Sequence, residues 1–388
     1  MAWRHPGAVD VERALGAVLA VLRERPLVGV AVIGTLLVAV FAYAALRWYR
    51  RPTAERLRRL FASTESVSVL LHPDPDPDAM GAGMGVAQIA TRAGADVTIQ
   101  HPGEIRHHEN RSFRNVLELD VDPVEDAADL AGETVVLVDH NAVRGITGAE
   151  RVDPDAIVDH HPGDGDGALL DVRPEYGAAA TIVGEYLETL GADPGAQAED
   201  EATPLLPPPV ATGLLYGILA DTDHLTNGTT PAEFDVARFL SAGVDEDALD
   251  RIANPEMDAE TLEVKARAVQ ERTVDGPFAV SHVGALSNAD AIPQAADELV
   301  RLEGVTAVVV SGEREGTLHL SGRSRDDRVH MGRVIETVVE DLPMADGGGH
   351  ARMGGGQVSI DHMEGIGPSD GVSIEEFHER LLDAMAGE

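Results

Sequence analysis

Cysteine is absent from this chain of 388 residues, and Lys265 is its only lysine. The lack of cysteine excludes disulfide bonds, thiolate nucleophiles, and zinc or iron–sulfur sites with cysteine ligands. Any bound metal must therefore be held by histidine and carboxylate groups. The length allows two catalytic-size domains plus further segments, at the usual ~150 residues per domain.

Positive charge is scarce. The chain has 30 Lys and Arg residues against 67 Asp and Glu residues, which gives a formal net charge of -37. Such a surface repels nucleic acid, although bound cations can set the local field where a phosphate substrate binds. The simplest interpretation is that the acidity serves solubility. The composition also resembles that of proteins from salt-accumulating halophiles, which indicates a habitat and not an activity.

One long apolar run lies between residues 27 and 46, where LVGVAVIGTLLVAVFAYAAL carries no charge. At about 1.5 Å per residue, a helix of this length spans roughly the 30 Å hydrocarbon core, which predicts a transmembrane helix. A cleavable signal peptide is the alternative, but RWYRRP follows the run instead of a small-residue cleavage site. Arginines are more numerous after the run than before it, so the positive-inside rule places the C-terminal part in the cytoplasm.

Short runs rich in Val, Ile and Leu follow the basic stretch. They begin at residues 67, 97, 134 and 156, and helical patterns separate them, which predicts a parallel sheet in an α/β domain. A helix predicted over 258–273 leads to a second domain. Its three strands, one helix and glycine-rich loop GGGHARMGGGQ predict a mixed sheet with flanking helices. The proline-rich acidic stretch 192–209 is interpreted as an exposed insertion.

Histidine and aspartate residues cluster where predicted strands or helices end. The segments LLHPDPDPDAMGAG, VVLVDHN, IVDHHP and GILADTDHL contribute His72, Asp76, Asp78, Asp139, Asp159, His160, His161 and Asp221. Open parallel sheets bind ligands at the carboxyl ends of their strands, and converging carboxylates need cations or must protonate. Oxygen and imidazole ligands favour Mn²⁺, Mg²⁺ or Fe²⁺. A single such aspartate is usually a cap or turn former, but four segments in series favour a metal site.

These segments resemble a known family. HPDPDPDAMG, VDHN, DHHP and GILADT are similar, in this order, to the four motifs of the DHH phosphoesterases, which are named for the triplet found here at Asp159, His160 and His161. GGGH at 347–350, with SGRSR at 321–325 before it, resembles the DHH-associated C-terminal domain of the NrnA-like and GdpP-like branches. The resemblance covers about residues 62–388.

The resemblance implies two divalent metal ions, with Mn²⁺ favoured and Mg²⁺ as the alternative. One ion would bind to His72, Asp76 and Asp139, and the other to Asp78, Asp139, His160 and Asp221. Such a pair activates a hydroxide and stabilises the leaving oxygen in an in-line displacement. The implied catalytic residues are His161, which would contact the phosphate or protonate the leaving group, and Asp159, which would fix an imidazole.

Substrate contacts are implied in the second domain, at Ser321, Arg323, Gly347, Gly348, Gly349 and His350. Glycine backbone N–H groups can approach a phosphate closely because no Cβ obstructs them, and an arginine offers a bidentate fork. An isolated glycine run would instead be an ordinary flexible loop.

The predicted fold class is therefore α/β. An N-terminal transmembrane helix precedes a parallel-sheet DHH domain and a smaller mixed α/β C-terminal domain, with the active site in the cleft between the two domains. The predicted boundaries are an N-terminal segment at 1–26, the transmembrane helix at 27–46, a basic juxtamembrane linker at 47–61, the DHH catalytic domain at 62–255, a connecting helix at 256–275 and the DHH-associated substrate-binding domain at 276–388.

The predicted function is hydrolysis of short oligonucleotides or cyclic dinucleotides, by a NrnA-like nanoRNase or pAp phosphatase, or by a c-di-AMP phosphodiesterase. The enzyme would be a single-pass protein of the cell membrane with a cytoplasmic catalytic domain, and a homodimer is left open. The alternative is a membrane-tethered nucleotide-binding sensor or regulatory subunit without catalysis, which the complete ligand set disfavours. A processive exonuclease is disfavoured by the acidic chain, and a family II pyrophosphatase by the GGGH domain.

Overall fold

The computed structural model describes Thr35 and residues 52–105, 107–195, 206–326, 328–363, 365–366 and 371–387. Apart from Thr35, the predicted transmembrane helix at 27–46 lies outside the described residues, as does the N-terminal segment at 1–26. Within the described ranges, every helix is too short or too polar to cross a membrane. Most of the predicted insertion at 192–209 also lies outside them.

The chain divides into two compact units. Among the described residues, the first comprises those up to 103 and those within 120–245, and the second comprises those within 104–119 and those from 246 onward. Residues 104–119 thus lie between the two stretches of the first unit in the sequence but belong to the second unit. The helix in this segment, His108–Val116, packs against the helix Glu246–Ala253 of the second unit.

The first unit contains a sheet of six strands that are all parallel, as the Val- and Ile-rich runs predict. The strands are β1 (Ser66–Leu70), β2 (Asp96–His101), β3 (Asp122–Pro123), β4 (Thr134–Val138), β5 (Ala156–Asp159) and β6 (Leu169–Val172). Their order, β3-β2-β1-β4-β5-β6, reverses between β1 and β4. Such a reversal opens a crevice at the carboxyl ends of the two central strands.

The helices of the first unit pack on this sheet or on one another. They are α1 (Thr53–Phe61), α2 (Pro77–Ala93), α4 (Ala179–Thr189), α5 (Pro208–Asp221) and α6 (Pro231–Leu240), where α3 denotes His108–Val116 of the second unit. α2 and α5 approach so closely that a Cβ on Gly81 would lie 2.4 Å from the Gly213 carbonyl oxygen. α1 lies within the predicted juxtamembrane linker and buries Ala54, Leu57 and Phe61.

The second unit contains a mixed six-stranded sheet, which confirms the predicted mixed α/β character. Its strands are β7 (Thr273–Asp275), β8 (Phe278–Ala285), β9 (Ala307–Arg314), β10 (Thr317–Ser324), β11 (Ala345–Gly349) and β12 (Met353–Ser359), in the order β11-β12-β10-β9-β8-β7. The helices are α3, α7 (Glu246–Ala253), α8 (Ala259–Gln270), α9 (Ala291–Leu299), α10 (Met331–Val339), α11 (Ile360–Met363) and α12 (Ile374–Ala386). α10 and α12 pack in the core on one face, and α8 and α9 pack in the core on the other.

The glycine-rich segment predicted as a loop is a β-hairpin, so that prediction was wrong. β11 pairs with β12 through the cross-strand pairs Gly347–Gly356, Gly348–Gly355 and Gly349–Gly354. Glycine is needed on one face of the hairpin because α10 lies against that face. A Cβ on Gly347 would lie 2.7 Å from Ile335 Cγ2, so side chains there would push the helix away.

Candidate metal centre

The residues predicted as metal ligands come together in the first unit, at the carboxyl ends of β1, β4 and β5. His72 follows β1, Asp139 follows β4 and His160 follows β5. Asp76 is the N-cap of α2 and accepts a hydrogen bond from the Ala79 backbone at 3.0 Å. Two further carboxylates come from helices, Asp78 in the first turn of α2 and Asp221 at the end of α5.

One group forms around His72. Its Nε2 atom lies 3.4 Å from Asp139 Oδ2 and 3.8 Å from Asp76 Oδ2. One ligand atom of each residue lies within 4.8 Å of the others, which is within reach of one cation.

A second group forms around His160. Its Nε2 atom lies 3.3 Å from Asp221 Oδ2 and 3.9 Å from Asp78 Oδ2. The same atom lies 3.3 Å from Asp139 Oδ1, whose other oxygen faces His72. Asp139 is therefore placed between the two histidines.

Backbone carbonyls fix the orientation of both imidazoles. His72 Nδ1 lies 2.9 Å from the Pro73 carbonyl oxygen, and His160 Nδ1 lies 3.1 Å from that of Tyr176. A carbonyl oxygen can only accept, so each Nδ1 carries a proton and donates it. The Nε2 atoms are thereby directed at the carboxylates, as is usual for metal-ligating histidines.

The electrostatics of the centre fit a divalent cation. Burial alone lowers the pKa of His160, but the carboxylates of Asp139 and Asp221, each 3.3 Å from its Nε2, raise it to about 12. Burial of His72 is likewise outweighed by Asp139 and Asp76, which raise its pKa to about 11. Protons on these imidazoles neutralise carboxylates that a cation would otherwise neutralise, so cation binding would release them.

Two buried polar atoms support the same conclusion. Asp139 Oδ1 and His160 Nε2 have no hydrogen-bond partner among the described residues, although they lie 3.3 Å apart. Buried atoms without partners are costly unless an ion or water satisfies them. The donor set of oxygens and imidazoles suits Mn²⁺ or Mg²⁺, and the site therefore fits such an ion.

Asp139 also has an unusual backbone. Its φ is +63°, in the left-handed region, and its side chain is only 1% exposed. Aspartate and asparagine tolerate this region better than other residues with a Cβ. The backbone turn at the end of β4 directs the carboxylate between the two histidines.

The remaining member of the DHH triplet, His161, points outward and is 54% exposed. Both its backbone N–H and its Nδ1 lie 3.0 Å from Asp159 Oδ1. The hydrogen bond to Asp159 raises the pKa of His161, and partial burial opposes this. Asp159 thus orients His161, whereas the sequence predicted that it would orient a ligand imidazole.

The predicted substrate-binding residues lie in the second unit. Ser321 and Gly348 flank Gly355 on neighbouring strands and share one face of the sheet, where a Cβ on Gly348 would meet nothing within 4 Å. Gly347 faces α10 on the other side. His350 is exposed at the turn of the hairpin.

Arg323 is held by a partner that the sequence did not reveal. Its Nε donates to Asp297 Oδ1 of α9 at 2.5 Å, and its Nη1 donates to Ser321 Oγ at 3.0 Å. The two acidic residues at 297 and 298 of α9 resemble many other acidic pairs in this chain, so no sequence signal singles out Asp297.

The fold and the cluster define an α/β protein with a site for divalent cations. Residues 66–218 match the DHH family, N-terminal domain, and residues 275–366 match the DHHA1 domain. The chain thus carries a DHH domain followed by a DHHA1 domain, as the motifs indicate.

Two curated proteins are similar to most of this chain. The chain is 33% identical over 318 residues to the uncharacterized protein MJ1633 of Methanocaldococcus jannaschii, which covers 81% of this chain and 62% of that protein. It is 25% identical over 321 residues to the cyclic-di-AMP phosphodiesterase PdeA of Listeria monocytogenes, covering 77% of this chain and 46% of PdeA. The chain therefore spans less than two thirds of the length of either relative.

A solved structure shares the fold. An exopolyphosphatase-related protein from Bacteroides fragilis superposes with a TM-score of 0.61 at 14% identity, covering 86% of this chain and 96% of that one. At this identity the likeness concerns the fold alone.

Proposed function

We propose that this protein is a metal-dependent phosphodiesterase that hydrolyses short oligonucleotides or cyclic dinucleotides. The observation that carries the proposal is the pair of three-residue groups, His72–Asp76–Asp139 and Asp78–His160–Asp221, joined through Asp139. The relative PdeA, a cyclic-di-AMP phosphodiesterase by name, supports the substrate class.

Two cations are proposed, one for each group, with Mn²⁺ favoured over Mg²⁺. When bound, such a pair activates the attacking water and neutralises charge on the phosphate. The protein holds the ligand atoms in place through the two carbonyl contacts of His72 and His160. Asp139 would contribute to both groups, since one of its oxygens lies beside His72 and the other beside His160.

His161 is proposed as the proton donor to the leaving oxygen. Its Nδ1 is engaged by Asp159, so Nε2 is the nitrogen left to face the substrate. The hydrogen bond to Asp159 raises the pKa of His161, which favours the protonated form that a general acid requires. Since Asp159 holds the proton on Nδ1, rotation of the ring away from the substrate is also restricted.

The second unit is proposed to bind the nucleotide. Asp297, Ser321 and the Gly322 carbonyl engage Nε and Nη1 of Arg323, so Nη2 is the nitrogen proposed to contact the phosphate. The open face at Gly348 would accept a flat group closely. Phosphate contacts from a preoriented arginine are stronger than those from a mobile one.

We further propose that residues 27–46 anchor the protein in the membrane with both domains on the cytoplasmic side. This rests on the uncharged run and on the arginines that follow it. A homodimer and an origin in a salt-accumulating organism remain predictions from the same sequence.

The test is a substrate panel with the full-length protein in detergent at high salt. A linear dinucleotide, c-di-AMP and pAp are each incubated with Mn²⁺ or Mg²⁺, and mononucleotide release is measured. We expect hydrolysis of at least one, faster with Mn²⁺, and a loss of at least about a hundredfold in Asp139→Asn, since oxyanion- and charge-stabilising groups are worth this much. Asp164→Asn, at an exposed position, is the control.

If the protein binds these nucleotides and Mn²⁺ but leaves all of them intact, it is a nucleotide sensor and the hydrolase proposal fails. Asp139→Asn suits this comparison because asparagine keeps the left-handed backbone at this position.

A further inference from the structure

A cluster of charged and aromatic side chains lies behind the metal centre, between the end of β6 and α4. Arg173 donates to both oxygens of Asp171, at 2.8 and 2.9 Å, and to Glu185 Oε2 at 2.6 Å. The hydroxyl of Tyr186 donates to Asp171 at 2.5 Å, and that of Tyr176 donates to Glu185 at 2.9 Å. The guanidinium lies 5.0 Å from the centre of the Tyr176 ring. One arginine thus ties together four side chains.

The loop held by this cluster touches two residues of the metal centre. The Tyr176 carbonyl oxygen accepts a hydrogen bond from His160 Nδ1, and the two atoms lie 3.1 Å apart. Three residues further on, the N-terminus of α4 holds the Asp78 carboxylate, with Ala179 N–H at 2.6 Å and Ala180 N–H at 2.8 Å. A shift of this loop would therefore change the tautomer or the direction of the His160 ring, and it would move the Asp78 carboxylate.

Arg173 is also fixed to the strand that carries the DHH triplet. Its backbone N–H donates to the Asp159 carbonyl at 2.9 Å, and the Tyr176 N–H donates to the Arg173 carbonyl at 3.0 Å. The side chain is 22% exposed, and that of Asp171 is 12% exposed. In such partly buried surroundings, loss of the arginine would leave two carboxylates uncompensated and facing each other, which displaces the chain that carries them.

We propose that Arg173 is a positioning residue for the metal centre. Through Asp171 and Glu185 it fixes the loop between β6 and α4, and that loop sets the Nδ1-protonated tautomer of His160 and the place of Asp78. The inference rests on the proposed metal-dependent function, but it concerns cation affinity and not hydrolysis. Partners that orient a metal-ligating imidazole commonly contribute about 10- to 100-fold to metal affinity.

The test compares Arg173→Met with Arg238→Met in the full-length protein. Arg238 lies on the same unit, 71% exposed and 4.0 Å from Glu188, so this control removes the same charge at the surface. Mn²⁺ affinity is measured from the free-ion signal in electron paramagnetic resonance. We expect Arg173→Met to weaken Mn²⁺ binding about 10- to 100-fold and Arg238→Met to change it less than about twofold.

A second readout separates positioning from general destabilisation. ¹⁵N NMR of the histidine rings reports which nitrogen of His160 is protonated, and we expect the Nδ1–H signature in wild type loaded with diamagnetic Mg²⁺ and its loss in Arg173→Met. Arg173→Lys, which keeps the charge without the fork, should restore part of the affinity.

If Arg173→Met does not fold, Glu185→Ala tests whether the Arg173 cluster positions the metal ligands. It removes the acceptor for Arg173 Nη1 and the Tyr176 hydroxyl but leaves the Asp171 pair, so the fold should persist with Mn²⁺ affinity lowered about threefold or more. Wild-type affinity in whichever of these variants folds, with an unchanged His160 signature, overturns the inference. A wild-type protein that binds Mn²⁺ without hydrolysing any nucleotide would instead overturn only the proposed function.

Discussion

At the scale of single residues, backbone carbonyls fix the ring orientation of three histidines, and the surroundings of each ring decide its charge. His72, His140 and His160 each direct Nδ1 at a backbone carbonyl, at 2.9, 2.9 and 3.1 Å. The ring of His140 is 3% exposed, and burial lowers its pKa to about 4, so it stays neutral beside the cluster. Identical side chains therefore differ in charge because their surroundings differ.

Arg323 gives the first prediction. Lysine retains the charge but loses the fork that Asp297 and Ser321 orient, so Arg323→Lys should raise KM for the nucleotide about tenfold with a smaller change in kcat. The measurement is steady-state kinetics on the substrate that the panel identifies. Arg325→Lys, at an exposed position just beyond β10, is the matched control. An unchanged KM in Arg323→Lys would remove Arg323 from the binding site.

At the scale of elements, the glycine hairpin combines two requirements on its two faces. A Cβ on Gly354 would lie 2.9 Å from the Met331 carbonyl oxygen of α10, whereas a Cβ on Gly348 would meet nothing within 4 Å. The first glycine is thus required by packing against α10. The second is dispensable for packing and faces the side of Ser321.

These two glycines give the second prediction. Gly354→Ala should destabilise the protein by about 1–3 kcal/mol because α10 must move, and thermal denaturation should show a lower Tm. Gly348→Ala should leave Tm unchanged but raise KM, because its methyl group occupies the open face. Equal effects of the two substitutions on Tm would contradict the packing asymmetry.

The docking of α12 gives the third prediction. His378 Nε2 is buried without a hydrogen-bond partner among the described residues, and burial together with the neighbouring His282 lowers the pKa of His378 to about 4 from 6.5, with Glu375 opposing. The unfolded chain therefore binds the proton more strongly, and stability is lost as pH falls from 6.5 toward 4.

The measurement for α12 is Tm as a function of pH for wild type and His378→Leu. The variant should lose less stability than wild type across this window, because it has no imidazole to protonate. Parallel curves for the two proteins would show that His378 does not contribute to the acid sensitivity.

At the scale of the whole molecule, the net charge of -37 sets the response to salt. Like charges on a compact surface repel one another, and salt shortens the screening length from about 10 Å at 0.1 M to about 3 Å at 1 M. We expect Tm to rise by several degrees over this range of KCl.

A variant with Asn at the exposed positions of Asp120, Asp122, Asp153 and Asp166 is the control for the salt response. Its Tm should be higher than that of wild type in 0.1 M KCl, and its rise with salt should be smaller. A wild-type Tm that falls or stays constant with KCl would show that self-repulsion is not a main destabilising force.

The sequence by itself determined the parallel sheet, the mixed second sheet and the set of residues around Asp139. These follow from local patterns, because apolar runs mark buried strands and polar residues after parallel strands meet at one edge. Metal chemistry also restricts the residue types, so His160 and Asp221 were identifiable before their distances were known.

The tertiary structure alone decided which partners hold these residues. These partners are the paired glycine strands of one hairpin, the Tyr176 carbonyl that orients His160, the Arg173 cluster, and the Asp297–Arg323 pair, whose residues lie 26 positions apart. Any backbone carbonyl can accept a hydrogen bond and any acidic residue can bind an arginine, so residue type does not select among them. Only the packed chain brings one of the many equivalent candidates within hydrogen-bonding distance.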